Sequence, residues 1–322
     1  MNRTALHRKA LNMLVLATVF WGLSFPLMKT VGLVQQRILP GSSSWFGTAL
    51  TNGLRFGLAS VVMGLFCYKT MHQITRREIS LGAGLGFFGG IGLIFQMDGL
   101  NYTSASTSAF LTQAYCIVLP VVVALRDRKW PSLKLMASCA LVVSGIGVLT
   151  GFDLRTFQLG RGEWETLIGS AIFTAQILWL DLPRFKGANV RHFTLVMFLV
   201  ILAVSLATTA LTAENSQQIV VLAGSAGILK LTALLVVFCT LIAYTMMNRW
   251  QPHVPASEAG LVYCAEPVFT SLFALVLPNI LAGWVGVEYA NETLTKNLLV
   301  GGGLIVGANI LLQMGATEPS SD

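Results

Sequence analysis

The sequence predicts an all-α integral membrane protein with ten transmembrane helices, arranged as two inverted-topology five-helix repeats with both termini in the cytoplasm. Three observations support this fold class: a low charge content, apolar blocks of membrane length, and an internal repeat. Of the 322 residues, 54% are hydrophobic and 11% are charged, whereas soluble domains carry about 25% charged residues. This composition excludes an ordinary soluble domain.

The hydrophobic residues form blocks of about twenty, the length at which a helix crosses a hydrocarbon core about 30 Å thick. A membrane β-barrel would instead show alternating segments of about ten residues. The first block follows a basic leader, but it is longer than the apolar core of a signal peptide, so we interpret it as a membrane helix. The predicted spans are 10–32, 46–68, 79–100, 103–125, 132–151, 163–182, 192–211, 229–249, 256–277 and 297–314.

The basic residues predict the orientation of these helices. The net charge is +7, but the Lys and Arg side chains are scattered over short loops, which favours no nucleic-acid partner. Fourteen of the 21 basic residues fall on the side of the N-terminus, six fall on the opposite side, and Arg55 lies within a span. Since cytoplasmic loops carry the excess of basic residues, both termini are predicted to be cytoplasmic.

The cysteines and histidines predict neither a disulfide framework nor a metal site. All five cysteines lie within or at the edge of predicted spans, where packing is the expected role. The four histidines lie in the cytoplasmic segments, are expected to be solvated, and show no metal-ligand spacing. We therefore expect no cofactor and no catalytic residue. These residues are Cys67, Cys116, Cys139, Cys239, Cys264, His7, His72, His192 and His253.

An internal repeat divides the chain. Residues 102–111 align with residues 253–262 at an offset of 151, and in both a polar turn with Ala-Ser leads into an apolar helix that is interrupted about ten residues later. A weaker match places 17–21 over 169–174. Five spans in each repeat, 1–155 and 156–322, force the second into the opposite orientation. Inverted repeats are typical of secondary transporters that work by alternating access, although a duplication kept only for folding is the alternative.

Four motifs, in order along the chain, carry a resemblance to a known family. They are Phe20-Trp21-Gly22-x-x-Phe25, Arg55-Phe56, Tyr102-Thr103-Ser104-Ala105 and Glu266-Pro267-Val268-Phe269. With them the chain resembles the EamA branch of the drug/metabolite transporter superfamily. The resemblance implies a ten-helix carrier of the bacterial inner membrane that exports amino acids or other small metabolites. It also implies a cavity lined by the first four helices of each half, with the fifth and tenth helices at the periphery.

The chain departs from the family pattern in three places. In place of a Gly-Glu-Arg-like turn after the fourth span, the chain has residues 126–131. In the second half, residues 291–294 retain only a partial match to that turn. Cys116 stands where Pro267 stands in the repeat. We therefore expect the helix break of the first half to move to Pro120.

Glu266 is the strongest candidate for a transport residue. Ten residues past the start of the ninth predicted span, at about 1.5 Å per residue, place its carboxyl group near the membrane midplane. An ionised group at that depth costs about 2.5 to 3.5 kcal/mol and usually faces a bundle interior or a wet cavity. Three interpretations stay open: a proton carrier, a contact for a cationic substrate group, or a hydrogen-bond acceptor for backbone loosened by Pro267.

Polar and aromatic side chains add candidates for the cavity. Tyr115 is the repeat counterpart of Glu266, so we expect the two to face each other. Interhelical hydrogen bonding is the alternative role of the polar residues, and core packing that of the aromatic ones. The further candidates are Thr107, Ser108, Gln113, Trp21, Phe25, Trp179, Tyr244 and Tyr263.

Two structural features are also predicted. Arg55 and Asp98 are expected to form an ion pair or outer gate, with anion recognition by Arg55 as the alternative. Gly82, Gly86 and Gly90 recur every four residues, forming a smooth face on which a helix can pack closely, and the resemblance implies that they allow flexing. The eighth span has no interior glycine, which predicts unequal movement of the two halves.

The sequence therefore predicts a secondary transporter that exports small metabolites, first of all amino acids or related compounds, by alternating access, and that is either facilitative or coupled to protons through Glu266. The alternative is an importer or exchanger of another class, nucleotide-sugar-like or vitamin-like. An intramembrane enzyme is disfavoured because one central carboxyl group without a nearby histidine makes no catalytic pair. The expected partners are the lipid bilayer, a small-molecule substrate and protons, and the expected assembly is a monomer or a weak homodimer.

Overall fold

The computed structural model describes residues 3–128, 130–149 and 160–314, and these residues are organised as a bundle of α-helices. The helices of the first half are α1 (Arg3–Ile38), α2 (Ser44–Cys67), α3 (Arg76–Tyr102), α4 (Ala105–Thr112), α5 (Tyr115–Asp127) and α6 (Leu133–Leu149). Those of the second half are α7 (Arg161–Leu180), α8 (Val190–Thr212), α9 (Ser216–Ala223), α10 (Ala226–Leu234), α11 (Ala243–Trp250), α12 (Ala256–Tyr263), α13 (Glu266–Ala274), α14 (Leu277–Val285) and α15 (Lys296–Met314).

Five helical segments are long and apolar enough to cross a membrane, which confirms an all-helical membrane protein over the described residues. They are Thr4–Ile38, Ser44–Gln73, Arg76–Tyr102, Val190–Thr212 and Ala226–His253. The bent unit of α12, α13 and α14 would make a sixth. Helices also occupy the other predicted positions, but they are shorter or less apolar, so the count of ten and the orientation of the termini stay predictions.

The sequence missed two helices, α9 and α14. The predicted ninth span stops at Leu277, yet the chain begins α14 at that residue after a turn of 61°. Pro278 lies in the first turn of α14, where its missing N–H costs nothing and its fixed φ favours a helix start. At α9, the Asn215 side chain accepts a hydrogen bond from the Gln218 N–H and so caps a helix inside an expected loop.

Both the fourth and the ninth predicted spans are broken near their middle. The breaks fall at Gln113–Ala114, between α4 and α5, and at Cys264–Ala265, between α12 and α13. The expected break at Pro120 is wrong, because α5 continues through that position. The two breaks instead lie at positions related by the sequence offset of 151. A proline is therefore not required, since the first break forms without one.

The glycine face of α3 packs against α8. A Cβ atom on Gly82 would lie 2.5 Å from the Phe193 carbonyl oxygen, and one on Gly86 would lie 2.6 Å from the Met197 carbonyl oxygen. Gly90 is slightly less crowded, with Val204 Cβ at 3.3 Å. The close helix contact expected from the spacing is therefore present.

The eighth predicted span contains a different irregularity. Its middle, Leu235–Ile242, is a π-helix that separates α10 from α11. The Thr240 hydroxyl donates a hydrogen bond to the Leu235 carbonyl, 2.9 Å away. π-Helical turns are rare and frequently mark functional positions. Where α3 has glycines, the corresponding span of the second half thus has a rearranged backbone.

The α6 and α15 helices pack against each other at one side of the bundle. A Cβ on Gly145 would lie 2.7 Å from the Gly301 carbonyl oxygen, so their backbones nearly touch. A Cβ on Gly303 or Gly307 of α15 would meet no atom of another described helix within 4 Å.

One histidine is a structural residue. His192 is 3% exposed, and its ring nitrogens lie 3.2 Å from a Glu78 carboxyl oxygen and 3.0 Å from the Thr70 hydroxyl. Glu78 also accepts hydrogen bonds from the backbone N–H groups of Thr75 and Asn189. The prediction that all four histidines are solvated is therefore wrong for His192, which joins the starts of α3 and α8.

Candidate functional site

A buried cavity lies in the centre of the bundle, between helices of both halves. The space in it that a water-sized sphere can occupy is about 60 Å³. The lining side chains are Trp21, Ser24, Arg55, Leu93, Gln96, Thr112, Tyr115, Phe173, Gln176, Ile177, Tyr244, Met247, Tyr263 and Glu266.

Glu266 lines this cavity and does not face lipid. It is the first residue of α13, directly after the helix break, and is 6% exposed. Its Oε2 atom accepts a hydrogen bond from the Gln113 side-chain amide, 2.9 Å away, which comes from the equivalent break in the first half. The N-terminal end of a helix favours a negative charge. The two helix breaks thus bring an amide and a carboxyl group together at the cavity.

Arg55 also lines the cavity, and the predicted ion pair with Asp98 is wrong. Arg55 is 1% exposed and donates from Nε to the Thr240 hydroxyl (2.6 Å) and from a terminal nitrogen to the Cys239 carbonyl (2.9 Å). Both acceptors belong to the π-helix. Asp98 instead binds Arg161 at 2.6 Å. The sequence placed Arg55 and Asp98 at similar depths but could not show that α7 brings a second arginine to Asp98.

Aromatic rings form one wall of the cavity. Trp21 makes edge contacts with Tyr244 and Tyr263, with ring centroids 5.5 Å and 5.3 Å apart. Such clusters suit an apolar or aromatic group of a ligand. Together with Tyr115, these rings are the predicted aromatic residues that the structure places at the cavity.

Five predicted cavity residues are not in the cavity lining, and one of them, Gln113, contacts the lining residue Glu266. Phe25 is fully buried in the apolar core, and Trp179 packs against Phe88 and Phe185. Thr107 lies in the first turn of α4, where it bonds to Ser104, and buried Ser108 lies 3.4 Å from the Thr166 hydroxyl. Helical spacing alone did not distinguish these packing positions from cavity positions.

The sequence analysis overlooked the uncharged polar residues of the cavity. Gln96 donates to the Thr112 hydroxyl at 2.9 Å, and Gln176 donates to the Leu85 carbonyl at 3.1 Å. Both amides lie inside predicted spans. The reasoning that selected Glu266, an expensive polar group at membrane depth, would have found them if it had been extended to neutral amides.

One end of the cavity is closed by a short hydrogen-bonded chain. The Tyr263 hydroxyl donates to the Gln251 side-chain carbonyl at 2.8 Å, and the Gln251 amide donates to the Ile177 carbonyl at 3.0 Å. The next residue, Pro252, lines an open vestibule of about 560 Å³, whose lining also includes His7 and His253. Gln251 therefore joins two residues of the cavity lining, Tyr263 and Ile177, at a position adjacent in sequence to the vestibule.

Across the described ranges, no three His, Cys, Asp or Glu side chains are grouped so that they could hold a metal ion. The cavity offers one carboxyl group, one guanidinium group, amides, hydroxyls and rings. These groups are suited to binding a polar organic molecule.

Comparisons with known proteins indicate a membrane transporter. Residues 8–151 match the profile of the EamA-like transporter family. An uncharacterized transporter of Archaeoglobus fulgidus (strain ATCC 49558 / DSM 4304 / JCM 9628 / NBRC 100126 / VC-16) is 25% identical over 270 residues, which are 83% of this chain and 78% of that protein. A solved structure described only as the crystal structure of a protein shares the fold, with a TM-score of 0.60 and 16% identity over 94% of this chain and 99% of that one. Residues 8–151 therefore resemble the EamA-like transporter family, which belongs to the drug/metabolite transporter superfamily, and the two sequence matches support a membrane transporter.

Proposed function

We propose that the chain is a secondary transporter that exports amino acids or closely related compounds by alternating access, and that the central cavity is its substrate site. Two buried groups of opposite charge type, Arg55 and Glu266, line the same cavity. This observation carries the choice of substrate. An amino acid presents a carboxylate and an ammonium group, which are the complements of these two side chains.

Arg55 is suited to the carboxylate. Within the described part of the chain its hydrogen bonds go to a hydroxyl and a carbonyl, with a longer contact to the Met28 sulfur, and none goes to a carboxylate. Its positive charge is therefore not neutralised by an ion pair there. A guanidinium group binds a carboxylate through two parallel N–H donors, which gives both strength and direction.

Glu266 is suited to the ammonium group. Its described hydrogen-bond partner is the neutral amide of Gln113. Tyr244 lines the same cavity as Glu266 and Arg55. The ring wall of Trp21, Tyr244 and Tyr263 then lies beside the space for an apolar side chain.

Three features support alternating access between inverted repeats. The two helix breaks lie at equivalent positions of the repeat. The α2 helix packs against its counterpart α8, and α6 packs against α15, as expected for a pseudo-two-fold arrangement. In such carriers the substrate site lies near the midplane, where the repeats meet and broken helices present their ends. The cavity lining includes residues beside both helix breaks, Tyr115 and Glu266 among them.

We further propose that Glu266 couples transport to protons, and that the protein works in a bacterial inner membrane. A carboxyl group surrounded by low-dielectric protein gains or loses a proton as its exposure to water changes. If Glu266 binds the substrate ammonium group in one state and a proton in the other, the two ligands compete for one site. Export would then be driven by proton entry.

Flux in proteoliposomes tests the proposal. Purified protein would be reconstituted into liposomes. Labelled phenylalanine or leucine would be placed inside the liposomes to measure efflux or outside them to measure uptake, with and without a pH gradient. We expect protein-dependent flux of both amino acids, and weaker flux of phenylalaninamide, which lacks the carboxylate. Empty liposomes provide the background. Absence of amino-acid flux in either direction, while another metabolite class is carried, would refute the proposed substrate class.

A further inference from the structure

Two buried carboxyl groups lie next to each other outside the cavity, where α3 and α7 cross. Asp98 of α3 is fully buried, and Glu165 of α7 is 8% exposed. The helices nearly touch at this point, since a Cβ on Gly99 would lie 2.6 Å from the Gly162 carbonyl oxygen. Both carboxyl groups bind the side chain of Arg161, which places them side by side. Neither residue belongs to the cavity lining.

Arg161 donates a hydrogen bond to one oxygen of each carboxyl group. It donates to Asp98 Oδ2 at 2.6 Å and to Glu165 Oε1 at 2.7 Å. The other oxygens, Asp98 Oδ1 and Glu165 Oε2, are buried and receive no hydrogen bond from the described residues. Ionised carboxylates only accept hydrogen bonds, so two of them cannot satisfy each other. A single proton would turn one into a donor and satisfy the pair.

The charge balance also favours one proton. With both carboxyl groups ionised, two negative charges would share one guanidinium group, and a net negative charge would be buried at the crossing. Adjacent carboxyl groups in such a site do not both ionise readily, because each charge disfavours the other. One bound proton makes the group of three neutral.

The surrounding elements offer no second cation for the pair among the described residues. Lys29 of α1 lies at the same end of the bundle, but its ammonium group donates to the carbonyls of Leu100, Asn101 and Thr103. The Tyr102 hydroxyl binds Arg161 at 2.7 Å. The other described charged or titratable residues on these two helices and on the elements packed against them are His7, Arg8, Lys9 and Arg37 of α1, Arg55 and Cys67 of α2, Arg76, Arg77 and Glu78 of α3, Tyr115 and Arg126 of α5, Glu163 of α7, Arg184 of the turn before α8, Arg191 and His192 of α8, and Glu258 and Tyr263 of α12.

We propose that Asp98 and Glu165 bind one proton between them and that this proton holds the α3–α7 crossing closed. Loss of the proton leaves two adjacent carboxylates, which repel each other across the crossing. Both helices also line the cavity, through Gln96 on α3 and Gln176 on α7. Separation of the crossing therefore opens the cavity toward the Asp98 end. This proton site is distinct from Glu266 and does not depend on which metabolite is carried.

The Glu165→Gln and Asp98→Asn variants test proton binding, because an amide supplies permanently the donor that the proton would supply. Glu163→Gln is the matched control, on the first turn of the same helix. Unfolded Asp and Glu side chains titrate near pH 3.9 and 4.3. A folded pair that keeps a proton above that range is destabilised as pH rises through its titration.

We expect the thermal unfolding midpoint of the parent and of Glu163→Gln in detergent to fall between about pH 6 and about pH 9, and to fall much less in Glu165→Gln. Infrared spectra should show a protonated-carboxyl band in the parent that is lost in both Glu165→Gln and Asp98→Asn. If the band persists in both variants, or if Glu165→Gln follows the parent at every pH, no proton is shared and the proposal is overturned.

Amide hydrogen exchange tests the closing role. Peptides that cover 94–103 and 161–170 should exchange faster in the parent at high pH, after correction for the intrinsic rate, and should stay protected in Glu165→Gln. Equal protection of these peptides at all pH values in the parent would overturn the role of the proton in closing the crossing. Loss of proton sharing with amino-acid flux intact would refute this inference alone, whereas absent flux with proton sharing intact would refute the proposed function alone.

Discussion

Replacement of Glu266 by Gln is expected to abolish the response of amino-acid transport to a pH gradient. The variant keeps the size of the side chain and can still bond to the Gln113 amide, which lies 2.9 Å from Glu266 Oε2. It cannot bind a proton or attract an ammonium group by charge. We expect transport of phenylalanine to fall about tenfold or more, the change that corresponds to about 1.4 kcal/mol of lost interaction.

The matched control is Glu288→Gln, which removes a carboxyl group from an exposed position outside the cavity. It should transport at the parental rate and keep the response to pH. Counterflow in the absence of a gradient would separate substrate binding from coupling in the Glu266 variant. A parental rate and a parental pH response in Glu266→Gln would show that this carboxyl group is structural.

Loss of Arg55 is expected to have the second large effect, and it should depend on the ligand. The Arg55→Gln variant should bind phenylalanine about tenfold more weakly, because the carboxylate loses its guanidinium partner. Binding of phenylalaninamide should change little, since the amide has no carboxylate. Arg55→Lys should recover part of the loss, because Lys keeps the charge but lacks the planar pair of donors.

Binding of phenylalaninamide also shows whether the Arg55→Gln variant is folded. Arg55 ties α2 to the π-helix through Thr240 and Cys239, and loss of these buried partners is expected to cost about 1–3 kcal/mol of stability. Retained binding of the amide therefore identifies a folded cavity, and a thermal unfolding curve measures the cost. If phenylalanine and its amide lose affinity equally, Arg55 acts on the shape of the cavity and does not bind the carboxylate.

Much of the fold followed from composition and repeat. Long apolar blocks predict α1, α2, α3 and α8 because burial of these helices depends on hydropathy over many turns. The helix breaks were predicted less well. Pro267 marked the second break, but the first, at Gln113–Ala114, has no proline to mark it in the sequence.

The candidate-site residue that is charged, and therefore costly to bury in a membrane, was predicted from the sequence. The polar but uncharged residues of the site were missed. Glu266 was found because a charge at membrane depth demands an explanation. Gln96 and Gln176 carry no charge, so the same reasoning was not extended to them. The partner of Arg55 was wrong for another reason: the acceptors are a threonine hydroxyl and a main-chain carbonyl of a π-helix, and backbone irregularity of that kind leaves little mark in a sequence.

Thiol accessibility of the cavity tests the central claim most directly. Ser24 lines the cavity and is small enough for a Ser24→Cys variant in a chain whose five native cysteines are replaced; Ser205→Cys, buried between α2 and α8 and outside the cavity lining, is the matched control. We expect a membrane-impermeant thiol reagent to label Ser24→Cys from either side of the membrane, and phenylalanine to slow the labelling, while Ser205→Cys stays unlabelled. Labelling from one side alone, or labelling that phenylalanine does not affect, would contradict an alternating-access substrate site at this cavity.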